Sequence, residues 1–188
     1  MRLVQDGQPE DLSELSACEK VGRISSRVWE TIKSDIKYPV CLLAAMITRL
    51  FAILFSVYML LWVTSFVDSG VLESENEAKA IYTRMVVMSM IFTVCSLPLI
   101  GYMSDTAPSH ITIPFTFGAR ALILFGFMSI KRPDTWLATF SASLIIVFTV
   151  MENVSVEVLY LRTMPRDVRG AMNGAFAFFG SIGALLFT

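Results

Sequence analysis

The chain has 188 residues, 55% hydrophobic and 16% charged, with a net charge of −1. Globular chains lie nearer about 45–50% apolar and about 25% charged; here the excess comes in long blocks rather than in alternation, which marks an integral membrane protein. The near-zero net charge gives no basis for nucleic-acid binding, and Cys18, Cys41 and Cys95 have neither metal-ligand spacing nor a disulfide framework, so they read as free thiols behaving as small apolar groups.

Residues 1–10 are polar and read as a disordered tail. Asp11, with Glu14 three residues on, is a helix-start signature. Leu12, Leu15, Val21, Ile24, Val28, Ile32 and Ile36 then recur mostly at three- or four-residue spacing, one apolar stripe on a helix. Lys20, Arg23, Arg27, Lys33 and Lys37 share the segment with Trp29. Residues 11–37 are therefore expected as a basic amphipathic helix. It would lie on a cytoplasmic membrane face, pack against the inner ends of the spans, or hold a soluble partner. No signal peptide is expected, because the first apolar run starts near Tyr38 and is too long for one. Asp6, Glu10, Asp11 and Glu14 argue against a mitochondrial transit peptide.

Tyr38-Pro39 is expected to stop that helix and start the next, proline being tolerated in a first turn. Residues 38–188 read as a transmembrane bundle with spans at about 40–67, 81–102, 111–130, 136–160 and 170–188, each near or above the roughly 20 residues that cross a bilayer. The fold class is thus all-α: a multispan membrane helix bundle of five predicted transmembrane helices preceded by an amphipathic cytoplasmic helix. Asp68-Ser69-Gly70 ends the first span, and the loop after it carries Glu73, Glu75 and Glu77. Pro98 is expected to kink the second span. The polar stretch 99–110 reads as a short turn that holds the second and third spans antiparallel and in contact, with Gly101 at their closest approach and Asp105 at the membrane surface. Lys131-Arg132-Pro133-Asp134 is a second tight turn.

The N-terminal segment and the 162–169 loop are basic, and the 68–79 loop is acidic, so the N-terminus is expected in the cytoplasm and Asp105 on the same side. In the last run Gly170, Gly174, Ala177, Ser181 and Ala184 recur at helical spacing. They form a seam of small side chains that lets another backbone come close in lipid.

Taken in order, these features resemble the C-terminal half of a major facilitator superfamily transporter, from its connecting helix through its seventh to eleventh membrane helices. Gly101-Tyr102-Met103-Ser104-Asp105 is similar to the Gly-x-x-x-Asp start of the family's signature loop. Pro165-Arg166-Asp167-Val168-Arg169-Gly170, with Gly174, resembles the Pro-x-x-x-Arg-Gly approach to the eleventh helix. The basic residues that usually follow the loop acid are replaced by Thr106, Ala107 and Pro108. The resemblance implies part of a secondary active transporter that moves a small solute by alternating access between two halves. With no first half and no twelfth helix, the chain is expected to be a fragment; the alternative is a transport-inactive membrane subunit or scaffold of the same half-fold. Its implied partners are a small solute, protons, the lipid bilayer, and the missing half or another membrane subunit. No cofactor, metal or enzymatic activity is expected: His110 is the single histidine, with no nucleophile–base pair around it.

Several residues carry expected roles. Gly101, Asp105, Arg162, Arg169 and Gly170 read as gating or structural positions. Asp105 is expected to accept hydrogen bonds from the start of the fifth span or from Arg162, Arg166 or Arg169, and its neutralisation to shift a conformational equilibrium by about 1–2 kcal/mol. Arg120 falls near the middle of the third span, where an unpaired charge is costly, so it should point inward to a carboxylate or to backbone carbonyls, with a substrate role as the alternative. The fourth span carries a polar stripe of Thr139, Ser143, Asn153, Glu157 and Tyr160, with Thr149 and Glu152 beside it. The resemblance puts this helix and the first span at a central cavity. Glu152, with Asn153, is the candidate for proton coupling, and Arg49, at similar depth, is expected to pair with it, either as a working switch or as a structural ion pair.

Overall fold

The computed structural model describes residues 17–164 and 168–185, except for the side chains of Ala17, Cys18, Lys20, Gly183 and Ala184. The expected tail, Asp11, Leu12, Glu14, Leu15 and Arg166 lie outside the described residues, as does the side chain of Ala184. The elements are α1 (Ala17–Ser34), α2 (Lys37–Asp68), α3 (Glu75–Thr106), α4 (Ser109–Met128), α5 (Trp136–Thr163) and α6 (Arg169–Leu185). All regular structure among the described residues is helical. Four of these helices, α2 to α5, are long and apolar enough to cross a membrane. The expected fifth span, α6, has 17 described residues and is the shortest of the set.

The helix ends follow local chemistry. The break after α1 falls at Asp35 and Ile36, three residues before the expected Tyr38-Pro39 boundary. The Asp35 carboxylate, one residue ahead of the N-cap position Ile36, accepts from the Lys37 amide at 3.0 Å and so satisfies the first amide of α2; this bond holds its carboxyl below the usual carboxylate range. Pro39 then sits harmlessly in the first turn of α2. Gly70, with φ at +73°, makes the turn out of α2 that other residues rarely adopt. Ser74 and Thr135 cap α3 and α5 by accepting from the amides of Glu77 and Ala138. Helix α3 runs through the 99–106 segment to Thr106, so the expected polar turn shrinks to Ala107 and Pro108.

The bundle has two apolar layers. One holds Phe55, Met59, Val63, Ile81, Met85, Phe127, Ala138, Ala142 and Ile145, from the end of α2, the start of α3, the end of α4 and the start of α5. The other holds Tyr38, Cys41, Leu42, Ala45, Val156, Tyr160, Met172 and Phe176, at the opposite end. There Tyr38 donates to the Thr163 carbonyl at 2.9 Å and Tyr160 to the Met172 carbonyl at 3.1 Å, tying α2, α5 and α6 together.

Helix α5 is the hub, packing on α2, α3 and α4. Its Ala138, Ala142 and Ser143 are fully buried, and their small size lets α3 come close enough for Ser89 Oγ to lie 3.2 Å from Ser143 Oγ. This overturns the expected contact between the second and third spans. Although α3 and α4 are joined by a two-residue turn, they scarcely touch, because both pack on α5 instead. A Cβ on Gly101 would meet nothing within 4 Å, so that glycine marks no close approach among the described residues.

Helix α1 splits its apolar stripe: Val28 and Ile32 pack on the Tyr38 layer, while Val21, Ile24 and Trp29 stay exposed. If the α3–α5 contact depends on small residues, Ala142→Leu should lower stability by about 1–3 kcal/mol through overpacking. Thermal unfolding in detergent would register it, and an exposed substitution such as Leu122→Ala should change the midpoint far less.

Candidate functional site

Between the two apolar layers lies a polar one. Thr48 and Arg49 supply it from α2, Thr116 and Arg120 from α4, and Thr149, Glu152 and Asn153 from α5. Arg49 stands twelve residues after Lys37, Arg120 eleven after Ser109, and Glu152 eleven before Thr163. At 1.5 Å per residue each is roughly 16–18 Å from the same end of the bundle, which brings three charges to one depth.

Glu152 is fully buried, at 0% exposure, and Arg120 is 8% exposed. Arg120 Nη1 lies 2.7 Å from Glu152 Oε2. The contact is an ion pair without hydrogen-bond alignment, and both Glu152 oxygens lack a hydrogen-bond partner among the described residues. The Arg120 guanidinium also lies over the Phe51 ring, 4.0 Å from its centroid, with Phe117 at 5.1 Å. Charge is thus neutralised on one edge and sheltered by aromatic faces on the other.

The cation that meets Glu152 is therefore Arg120 rather than the expected Arg49. Successive residues on a helix point about 100° apart, so Glu152 faces α4 while its neighbour Asn153 faces α2. Arg49 goes to the Asn153 side. It has no hydrogen-bond or ion-pair partner among the described residues, and it lines a cavity of about 110 Å³ with Thr48, Ala52, Thr149, Val150 and Asn153. A second cavity of about 110 Å³ adjoins it through Ala52, Thr149 and Val150 and is bordered by Phe51, Phe55, Ser56 and Ile146. A third, of about 450 Å³, continues from Ser56 and Ile146 to Tyr82, Ser89 and Thr93 on α3. Together they form one groove along α2, α5 and α3. Phe51 is the wall between this groove and the Arg120–Glu152 pair.

At the far end from Trp136, Arg162 Nη2 donates to the carbonyls of Ser104 at 3.1 Å and Asp105 at 3.2 Å. Its distance to Asp105 Oδ1 is 3.6 Å, and the Asp105 side chain is 81% exposed. The arginine thus acts mainly as a cation on the last carbonyls of α3. An exposed pair of this kind contributes about 0–1 kcal/mol to stability. Asp105 sits at the end of α3, and Arg169, first residue of α6, is exposed and makes no ion pair with it. Gly170, Gly174, Ala177 and Ser181 are exposed, and a Cβ on either glycine would meet nothing within 4 Å, so the small-residue seam faces away from the other helices.

Two residues of the site escape sequence reasoning. Gly180 is buried, and a Cβ there would stand 2.6 Å from Arg49 Cδ and Nε, so its missing side chain is the space the arginine occupies. The signal was its place on the core face after Met172 and Phe176, a gap in a row of large side chains. Phe51 gave no signal beyond apolar periodicity.

The family model described as Major Facilitator Superfamily matches residues 4–188. No curated protein and no solved structure matches the chain.

The pair makes a sharp expectation for stability. Arg120→Met alone leaves the buried Glu152 uncompensated and should cost about 3–5 kcal/mol, whereas Arg120→Met combined with Glu152→Leu should recover most of that loss. A double-mutant cycle on unfolding midpoints measures the coupling, and additive losses would contradict the pairing. At the other site, Arg162→Ala removes the carbonyl contacts as well and should destabilise more than Asp105→Asn.

Proposed function

We propose, from the premise that this chain belongs to the Major Facilitator Superfamily, that it forms one wall of a solute pathway worked by alternating access. Members of the family are membrane transporters that move small solutes across the bilayer, in some cases with protons. In the proposed arrangement α6 is the fifth span and the bundle corresponds to the C-terminal half of such a transporter. α1 lies on the cytoplasmic surface, and a second helical unit faces the groove along α2, α5 and α3. The outward-facing seam of Gly170, Gly174, Ala177 and Ser181 supports close packing against that unit.

The observation that carries this reading is the groove backed by a buried ion pair. A helix wholly exposed to lipid would not carry Asn153 and Glu157 on a face that the bundle leaves partly open. The mechanism follows from the wall between groove and pair. Phe51 borders the groove and stacks on Arg120, so a solute that displaces the ring also changes the support of the guanidinium. Loosening the Arg120–Glu152 contact frees a carboxylate that already has unused acceptor capacity and so lets it take a proton. Reclosure expels the proton. Coupling thus needs only two arrangements of Phe51 and Arg120, each biased by one ligand. Arg162, seated on the end of α3, then holds that end of the bundle together as it closes against the second unit on the cytoplasmic side.

In sealed vesicles containing the protein, screened with small solutes, Glu152→Gln should abolish accumulation driven by a proton gradient and leave solute exchange intact. Accumulation that survives this change with its pH dependence unaltered would remove Glu152 from the mechanism. No flux of any solute by the wild-type protein would favour a transport-inactive subunit instead.

A further inference from the structure

The polar layer holds two arginines and a single buried carboxylate, and that carboxylate is taken. Arg120 owns Glu152 at 2.7 Å. Arg49 makes no ion pair among the described residues, Glu157 one turn further along α5 included. Its guanidinium is instead laid into the groove by backbone: Gly180 of α6 leaves the room for it, with 2.6 Å between Arg49 Nε and the place a Cβ would take. Beside it, Asn153 turns its amide oxygen towards Thr48, whose Oγ1 is 3.5 Å away. The Asn153 NH₂ is left with no acceptor among the described residues. The Thr48 and Thr149 hydroxyls are spent on the carbonyls of Ala44 and Ile145. The cavity at this end therefore offers donors and positive charge, and no carboxylate is among its lining residues. Beyond it the walls turn apolar, with Phe51, Phe55, Val150 and Ile146.

From this polarity we infer that the groove binds an organic anion: a compact carboxylate or phosphate group held by Arg49 and Asn153, with an apolar body lying along Phe51, Phe55 and Ile146. Gly180 is the positioning residue that keeps the guanidinium in place. The planar fork of arginine suits both anionic groups, and the apolar stretch rejects a second charge. That the anion is carried as well as bound rests on the transporter reading; the binding itself does not.

The test uses the protein in lipid nanodiscs and four probes that share one ring: benzoate, phenyl phosphate, benzyl alcohol and benzylammonium. Titration calorimetry should give saturable binding of benzoate or phenyl phosphate, and the stronger of the two identifies the anionic group. Benzyl alcohol should bind at least about tenfold more weakly, and benzylammonium not at all. Arg49→Gln should weaken anion binding about 10–100-fold, the range for losing a charge-assisted contact, while Arg49→Lys retains part of it. Gly180→Ala keeps every donor but displaces the guanidinium, so it should weaken the anion about tenfold or more; it also serves if Arg49→Gln does not fold. Failure of both anions to bind, preferred binding of the cation, or equal anion affinity in wild type and both variants overturns the inference. Flux of a neutral or cationic solute that is indifferent to Arg49→Gln would overturn it while leaving the transporter reading intact. Anion binding that depends on Arg49 without any flux would uphold it and count against transport.

Discussion

A charge buried away from any cavity at mid-depth in an apolar bundle is costly unless it is matched, and the Arg120–Glu152 contact is where this chain meets that demand. Each partner alone would be costly in the low-dielectric interior. Together, with two aromatic faces around the guanidinium, they become neutral to their surroundings. The layers above and below are apolar and nearly continuous, one around Met59, Met85 and Ile145, the other around Tyr160, Met172 and Phe176. The pair is the interruption both are built around, and it pins α4 to α5 at mid-depth.

The position of α5 follows from the same constraint. To bring Glu152 inward, the helix must be surrounded, and it can be surrounded only if its other faces admit close neighbours. Ala138, Ala142 and Ser143 do this towards α3, and Thr149 and Asn153 towards α2. The short turn between α3 and α4 does not force those two helices together, since a turn fixes proximity only at its ends, while packing along the length goes to whichever helix offers the smaller side chains.

Much of this was legible in the sequence. Long apolar blocks pointed to the four helices α2 to α5 that are long and apolar enough to cross a membrane, because burial in lipid requires nearly uninterrupted hydropathy. The polar stripe on α5 was visible as a periodicity, and the mid-span depths of Arg49, Arg120 and Glu152 could be counted. What counting could not supply was direction. Asn153 and Glu152 are neighbours in sequence but face different helices, so equal depth alone could not say which arginine meets the acid. The value of Gly101 was misread for a related reason: a glycine in a helix signals the option of close approach, and only the packing tells whether it is used. Gly180 is the converse, a glycine whose vacancy is filled not by a backbone but by an arginine side chain.

The unequal fates of the two arginines bear on how such a layer could work. A fully satisfied ion pair is rigid and gives a ligand little to act on. Here the pair is short but poorly aligned, with both Glu152 oxygens left without hydrogen bonds, and its aromatic support is the ring that also walls the groove. Alternatives of comparable energy are what a population shift needs, since a ligand moves an equilibrium only by its differential affinity for the two states. A groove lined by inert apolar side chains would offer no such leverage, and neither would a pair sealed behind several layers. One phenyl ring between them is a separation small enough for a ligand's contact on one face to be felt as lost stacking on the other.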